Sequence, residues 1–137
     1  MRRMLLALLL VAALAAASAQ ATSLKVVNFR MPSKNIHCQY RSASPAGLRC
    51  DIFTKLRPPP SGRCNEGVWS AVTMTRRGKA HPICISDTVY NPKAPVLAYG
   101  RTWRVGGFTC TSRQTGLTCR NLRGHGFFLS RGSWRVY

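Results

Sequence analysis

The chain has 137 residues, with 21 Lys and Arg against three Asp and Glu, a formal net charge of +18 at pH 7, and six cysteines. That length fits one domain rather than several. The shortage of carboxylates leaves little room for acid–base chemistry on Asp and Glu pairs, and the charge implies affinity for anionic surfaces.

The N-terminus opens with Met1, Arg2, Arg3 and Met4, and an apolar or small-residue run follows from Leu5 to Ala17. A basic start, a short apolar stretch and a small-residue exit describe a secretory signal peptide over residues 1–19. The best cleavage site is Ala17-Ser18-Ala19 before Gln20, and the second is Ala19-Gln20-Ala21. The apolar run falls short of the ~20 residues that cross a bilayer. No cysteine follows it as a lipid anchor, and no later segment is long and apolar enough to span. Losing Arg2 and Arg3 with residues 1–19 takes the charge from +18 to +16 and leaves 118 residues. The expected compartment is secreted or periplasmic. Most of the basic residues are Arg, and Ala, Gly and Pro are plentiful, so the charge has a compositional explanation beside a functional one.

The remaining chain, residues 24–137, reads as short β-prone runs between turn residues. Strands are expected at Leu24–Phe29, Ile36–Tyr40, Leu48–Phe53, Trp69–Thr75, Pro82–Ile85, Val96–Tyr99 and Thr102–Val105. Four more follow at Phe108–Ser112, Leu117–Asn121, Phe127–Leu129 and Trp134–Val136. Glu66–Ser70 leaves room for one helical turn, and no longer window has helical periodicity. The fold class is all-β: a small antiparallel sandwich or barrel stapled by disulfides, preceded by a cleaved signal helix. Pro58-Pro59-Pro60-Ser61-Gly62 is a linker or edge loop between two hairpin layers. Gly106-Gly107 fits a tight hairpin turn.

Cys38, Cys50, Cys64, Cys84, Cys110 and Cys119 are spaced 12, 14, 20, 26 and 9 apart. Without a C-x-x-C pair, zinc is disfavoured and a disulfide framework preferred, and no metal or cofactor is expected. Six cysteines allow many pairings. An internal echo narrows them: Cys38 … Gly47-Leu48-Arg49-Cys50 matches Cys110 … Gly116-Leu117-Thr118-Cys119. Each looks like a hairpin whose cysteines face one another. The implied pairs are Cys38–Cys50 and Cys110–Cys119, which leaves Cys64–Cys84.

Several motifs together resemble a domain-of-unknown-function family of small exported bacterial proteins. They are Phe29 with Met31-Pro32-Ser33-x-Asn35-Ile36-x-Cys38, Leu48-Arg49-Cys50-Asp51-Ile52, Cys84-x-x-Asp87-Thr88 and Leu97-x-Tyr99-Gly100. Phe108-x-Cys110, Gly116-Leu117-Thr118-Cys119, Gly124-His125-Gly126-Phe127 and Leu129-Ser130-Arg131 complete the set. The resemblance covers about residues 28–137. It implies export and a shared disulfide-linked domain, and it carries no activity or catalytic residue to transfer.

Candidate chemistry is sparse. Asp51, Glu66 and Asp87 are the carboxylates, and Asp51 and Asp87 read as turn residues or counter-charges to arginines rather than as a glycosidase pair. His37, His81 and His125 could support acid–base cleavage of RNA. His125, flanked by Gly124 and Gly126, is the best single candidate, although a tight turn explains the glycines equally well. A serine nucleophile elbow, a P-loop and a dinucleotide fingerprint are absent from the sequence. Trp103 and Trp134, interleaved with Arg101, Arg104, Arg131 and Arg135, could stack on bases or sugars beside phosphates, or pack into the core. Alternation puts Arg104 and Arg135 on the wet face of their strands under either reading. The composition favours a non-catalytic binding or envelope-associated domain with a basic face for an anionic envelope polymer or nucleic acid. The alternative is a secreted cationic hydrolase, nuclease-like, using His125.

Overall fold

In the computed structural model, residues 18–137 are described, and the expected signal segment lies outside them except for Ser18 and Ala19. Ten strands follow in chain order. They are β1 (Val26–Arg30), β2 (Ile36–Arg41), β3 (Gly47–Ile52), β4 (Val68–Thr75), β5 (His81–Ile85), β6 (Thr102–Val105), β7 (Phe108–Arg113), β8 (Gly116–Arg120), β9 (Gly126–Leu129) and β10 (Trp134–Val136). They form two five-stranded antiparallel sheets, ordered β1-β2-β3-β4-β5 and β10-β9-β8-β7-β6. Each sheet is a plain meander in which every strand pairs with its neighbour in sequence. A single connection, residues 86–101, joins the two halves.

Alternation decides which side of each strand is buried. On β7, Phe108, Cys110 and Ser112 are buried while Thr109, Thr111 and Arg113 are not. The inward residues of both sheets meet in one core that includes Phe29, Leu48, Val72 and Met74 from the first sheet and Phe108, Leu117, Phe127 and Leu129 from the second. Phe29 packs on Trp103 at 4.7 Å between ring centroids, and Tyr40 on Phe108 at 5.9 Å, each across the two sheets. Two sheets enclosing one core make the fold a sandwich.

Cys38 and Cys50 sit directly opposite one another on β2 and β3. Cys110 and Cys119 do the same on β7 and β8. Both pairs are bonded, with Cα separations of 4.1 and 4.0 Å, and Cys64–Cys84 ties the β3–β4 loop to β5 at 5.6 Å. In the loop-entropy account each closure contributes about 3 kcal/mol. Gly106 and Gly107, with φ of 60° and 88°, form the two-residue β6–β7 turn, where both central residues need positive φ.

Three expectations change. Val96–Tyr99 is not a strand: it contributes one parallel bridge, between Val96 and Arg30. Pro95 has no N–H to extend a ladder, and the chain turns at once, with the Arg101 amide donating to the Ala98 carbonyl at 3.0 Å. Glu66–Ser70 holds no helical turn: β4 begins at Val68 and pairs with β5 through a bulge between Trp69 and Ala71. The proline-rich segment is an edge loop joining β3 and β4 within one sheet, rather than a link between layers. The loop is anchored by the Leu56 amide on the Trp69 carbonyl at 2.8 Å, and by the Trp134 indole N–H on the Pro58 carbonyl at 2.7 Å.

Candidate anion-binding face

The outward side of the second sheet is built by register alone. Arg104, Thr109 and Arg120 lie in one row across β6, β7 and β8. Thr102, Thr111, Thr118, Phe128 and Arg135 form the next row, from β6 to β10. Arg113 continues the same side of β7. Cross-strand partners share a face, so these residues point away from the core together. Arg104, Arg113, Arg120 and Arg135 are exposed, and the threonines between them are partly or fully exposed. The face presents guanidinium and hydroxyl groups and no side-chain carboxylate.

Two aromatic rings organise it. The Phe128 ring lies over Gly116, where a Cβ would come within 2.7 Å of the ring and 2.5 Å of the Leu129 carbonyl oxygen. Arg135 in turn stands over Phe128, 4.7 Å from its centroid. Beside them the Tyr137 ring covers Gly126, and Arg120 stands over Tyr137 at 5.7 Å. Stacking a guanidinium on an aromatic ring is favourable and holds its planar fork at the surface.

The other sheet offers no such open face. Residues 86–95 cross its outer side as a strap. The Val89 amide donates to Asp51 Oδ2 at 2.9 Å, and Arg30 Nε donates to the Ala94 carbonyl at 3.1 Å. Arg49 bridges strap and sheet: it donates to Asp51 at 2.7 and 3.1 Å and pairs with Asp87 at 2.9 Å. Under the strap, Asp51 is only 3% exposed and His37 2%. His37 Nε2 donates to the Lys34 carbonyl at 3.1 Å, and its ring packs on Tyr90 and Phe53 at 4.8 and 5.3 Å. Burial holds the His37 pKa below its ordinary 6.5, and the Arg30 charge adds to this against the carbonyl of Lys34.

All three side-chain carboxylates belong to this side of the molecule. Asp51, Glu66 and Asp87 line one cleft of about 560 Å³ together with Phe53 and Tyr90. Among the described residues the only ion pairs are those of Arg49 with Asp51 and Asp87. The side-chain carboxylates are therefore segregated to the strapped side, and the arginines of the open face have no ion-pair partner among the described residues. No group of three or more His, Cys, Asp or Glu among the described residues could hold a metal ion.

The residues singled out in the sequence do not form one compact site. β6 and β10 are opposite edges of the second sheet, so Arg104 and Arg135 share its outer face but stand roughly 19 Å apart, at ~4.8 Å per strand. Trp103 and Trp134 point inward and pack against the core. Arg101 is exposed in the turn before β6, and Arg131 in the β9–β10 turn. Asp87 sits on the strap. His125 lies in the β8–β9 loop, and this loop is organised by Asn121. The Asn121 side-chain oxygen accepts from the amides of Arg123 and His125 at 3.0 and 3.1 Å. Its NH₂ donates to the carbonyls of Thr75 and Gly78 at 2.9 and 2.7 Å, pinning the loop to the β4–β5 turn. His37 is buried under the strap and His81 is exposed on β5, so His37 cannot share a substrate with His125. Arg113 and Arg120 were missed, although Cys110–Cys119 pairing obliges their side of β7 and β8 to face outward.

The sequence signature of DUF6636, described as a family of unknown function, matches residues 4–137. The chain belongs to this family. No curated protein and no solved structure shows a significant match to this DUF6636 chain. Among the described residues there is no helix long and apolar enough to cross a membrane.

Proposed function

We propose that this DUF6636 protein is an exported, non-catalytic binding domain that lays the open face of its second sheet on an anionic polymer of the cell envelope. The observation that supports it most is the segregation of the side-chain carboxylates away from this face. Arginines repel one another on a crowded face and are normally offset by nearby carboxylates, yet here all three side-chain carboxylates lie in the strap-side cleft. An open surface of arginines and threonines suits repeated phosphate or carboxylate groups, which guanidinium forks bind in bidentate fashion. Export accords with the three disulfides, which persist in oxidising compartments. Secreted material is expected to begin at Gln20 or Thr22 by mass spectrometry, whereas intact Met1 in a membrane fraction would contradict a cleaved signal.

The experiment is a salt titration of the mature protein against anionic wall polymer, RNA and DNA, with a cleavage assay on the same samples. Binding should weaken steeply as salt rises. Arg104→Glu and Arg135→Glu should weaken it more than His125→Ala. Flat salt dependence removes the binding reading, preferential capture of RNA or DNA moves the partner to nucleic acid, and cleavage abolished by His125→Ala establishes a nuclease instead.

A further inference from the structure

We propose that a second, smaller cleft is a site for a single phosphorylated polyol or sugar unit, anchored by Arg113 and Arg131. The cleft holds about 350 Å³ and lies where the β1–β2 turn meets the β7–β8 and β9–β10 turns. It extends the reading of the open face, because Arg113 belongs to both, but the argument for it stands on the cleft's own residues.

Charge comes first. Arg113, at the end of β7, and Arg131, in the β9–β10 turn, both line the cleft, no carboxylate lines it, and neither arginine has an ion-pair partner among the described residues. A phosphate monoester carries nearly two negative charges at neutral pH and presents three acceptor oxygens, which matches two forked donors better than a carboxylate does. Size comes second. The volume lies at the lower end of the range for small-molecule sites and is generous for a bare phosphate, so the bound unit carries more than its anion. The rest of the wall fits a hydroxylated unit: Ser33, Gln114 and Thr115 offer hydroxyl and amide groups, and half-exposed Tyr99 offers an apolar ring.

The walls are also held in place before any ligand arrives. Asn35 is fixed at both ends of its amide by Thr54: it donates to the Thr54 hydroxyl at 3.1 Å and accepts from the Thr54 amide at 3.2 Å. The β9–β10 turn is closed by the Ser130 hydroxyl, which donates to the Ser133 carbonyl at 3.0 Å and accepts from the Ser133 amide at 3.1 Å. The ordering cost on binding then falls mainly on the exposed side chains of Arg113 and Arg131.

The test is an NMR titration of the mature protein with glycerol 3-phosphate, inorganic phosphate, glucuronate and glycerol, following backbone amides. Glycerol 3-phosphate should bind most tightly and shift Thr115, Gly116 and Ser130. Arg131→Gln should weaken it about tenfold, the loss expected for one charge-assisted hydrogen bond. Arg120→Glu, on the open face and away from the cleft, should leave it within about twofold while weakening polymer binding. Absence of shifts at the cleft, or equal loss in Arg131→Gln and Arg120→Glu, overturns the site. Tighter binding of glucuronate overturns its assignment to phosphate. Phosphate binding at the cleft without polymer binding would leave this site standing and remove the reading of the face.

Discussion

The guanidinium of Arg135 stands 4.7 Å above the centroid of the Phe128 ring, and the two residues are directly opposed across β9 and β10. Because the same ring lies on Gly116, three strands contribute to one stack: backbone, aromatic plane and cation. An arginine on a bare strand would sweep a wide arc, and this one is held flat on the sheet.

Removing the ring tests whether that placement matters. Phe128→Ala changes no charge, so a purely electrostatic face would bind polyanion unchanged. The exposed cation–π contact is worth about 0.5–1 kcal/mol and bounds the pre-organisation it supplies, so affinity by calorimetry should fall by at most about fivefold. Equal affinity would show that the stack plays no part in binding. Gly116→Ala should act on the fold instead. The position has φ of +148° and no room for a Cβ, so urea unfolding should show a loss of about 1–3 kcal/mol.

Asp51 and Asp87 both pair with Arg49, but burial separates their contributions. Asp51 side-chain exposure is 4% against 78% for Asp87. Asp51→Asn leaves Arg49 under the strap with its buried countercharge gone, and should cost about 2–3 kcal/mol in urea unfolding. Asp87→Asn should cost less than about 1 kcal/mol, as exposed pairs do. Faster hydrogen exchange at the Val89 amide in Asp51→Asn would locate the loosening at the strap. Similar losses from both substitutions would contradict the buried role of Asp51.

His37 makes stability depend on pH with a definite sign. Its folded pKa lies below 6.5, so at lower pH the unfolded chain binds the proton more readily than the native one. The contribution is complete above pH 6.5 and is lost as pH falls through the folded value. Burial and the Arg30 charge oppose protonation of the ring, and they outweigh the backbone of Lys34 and Asn91 and the Asp51 carboxylate, which favour it. Urea midpoints should therefore drop between pH 7.5 and 5, and His37→Phe, packed between Phe53 and Tyr90, should lose most of that drop. An unchanged slope in the variant would assign it to another group.

Much of the architecture was legible because local rules govern it. Two-residue periodicity marked the strands, Gly106-Gly107 marked a hairpin, and the repeated Gly-Leu-x-Cys hairpins implied the opposed cysteines. Val96–Tyr99 misled because its apolar composition resembles a strand, while its one partner is a single bridge on the edge of β1. The site was less legible. Arg104 and Arg135 were marked as outward from alternation in their own strands, but the face between them depends on the register of β7, β8 and β9. The burial of His37 and Asp51 depends on residues 86–95 returning over β2 and β3, a distant contact that strand periodicity does not encode.

The disulfides also have a simple order: first cysteine with second, third with fourth, fifth with sixth. No bond crosses from one meander to the other. A chain threaded N-terminus first into an oxidising space exposes each cysteine's correct partner before any later competitor appears. An oxidase that joins thiols in order of arrival would produce the native set without reshuffling, and each half could set its hairpins before the other emerged. For a chain exported as proposed, that order of pairs would suit maturation during passage.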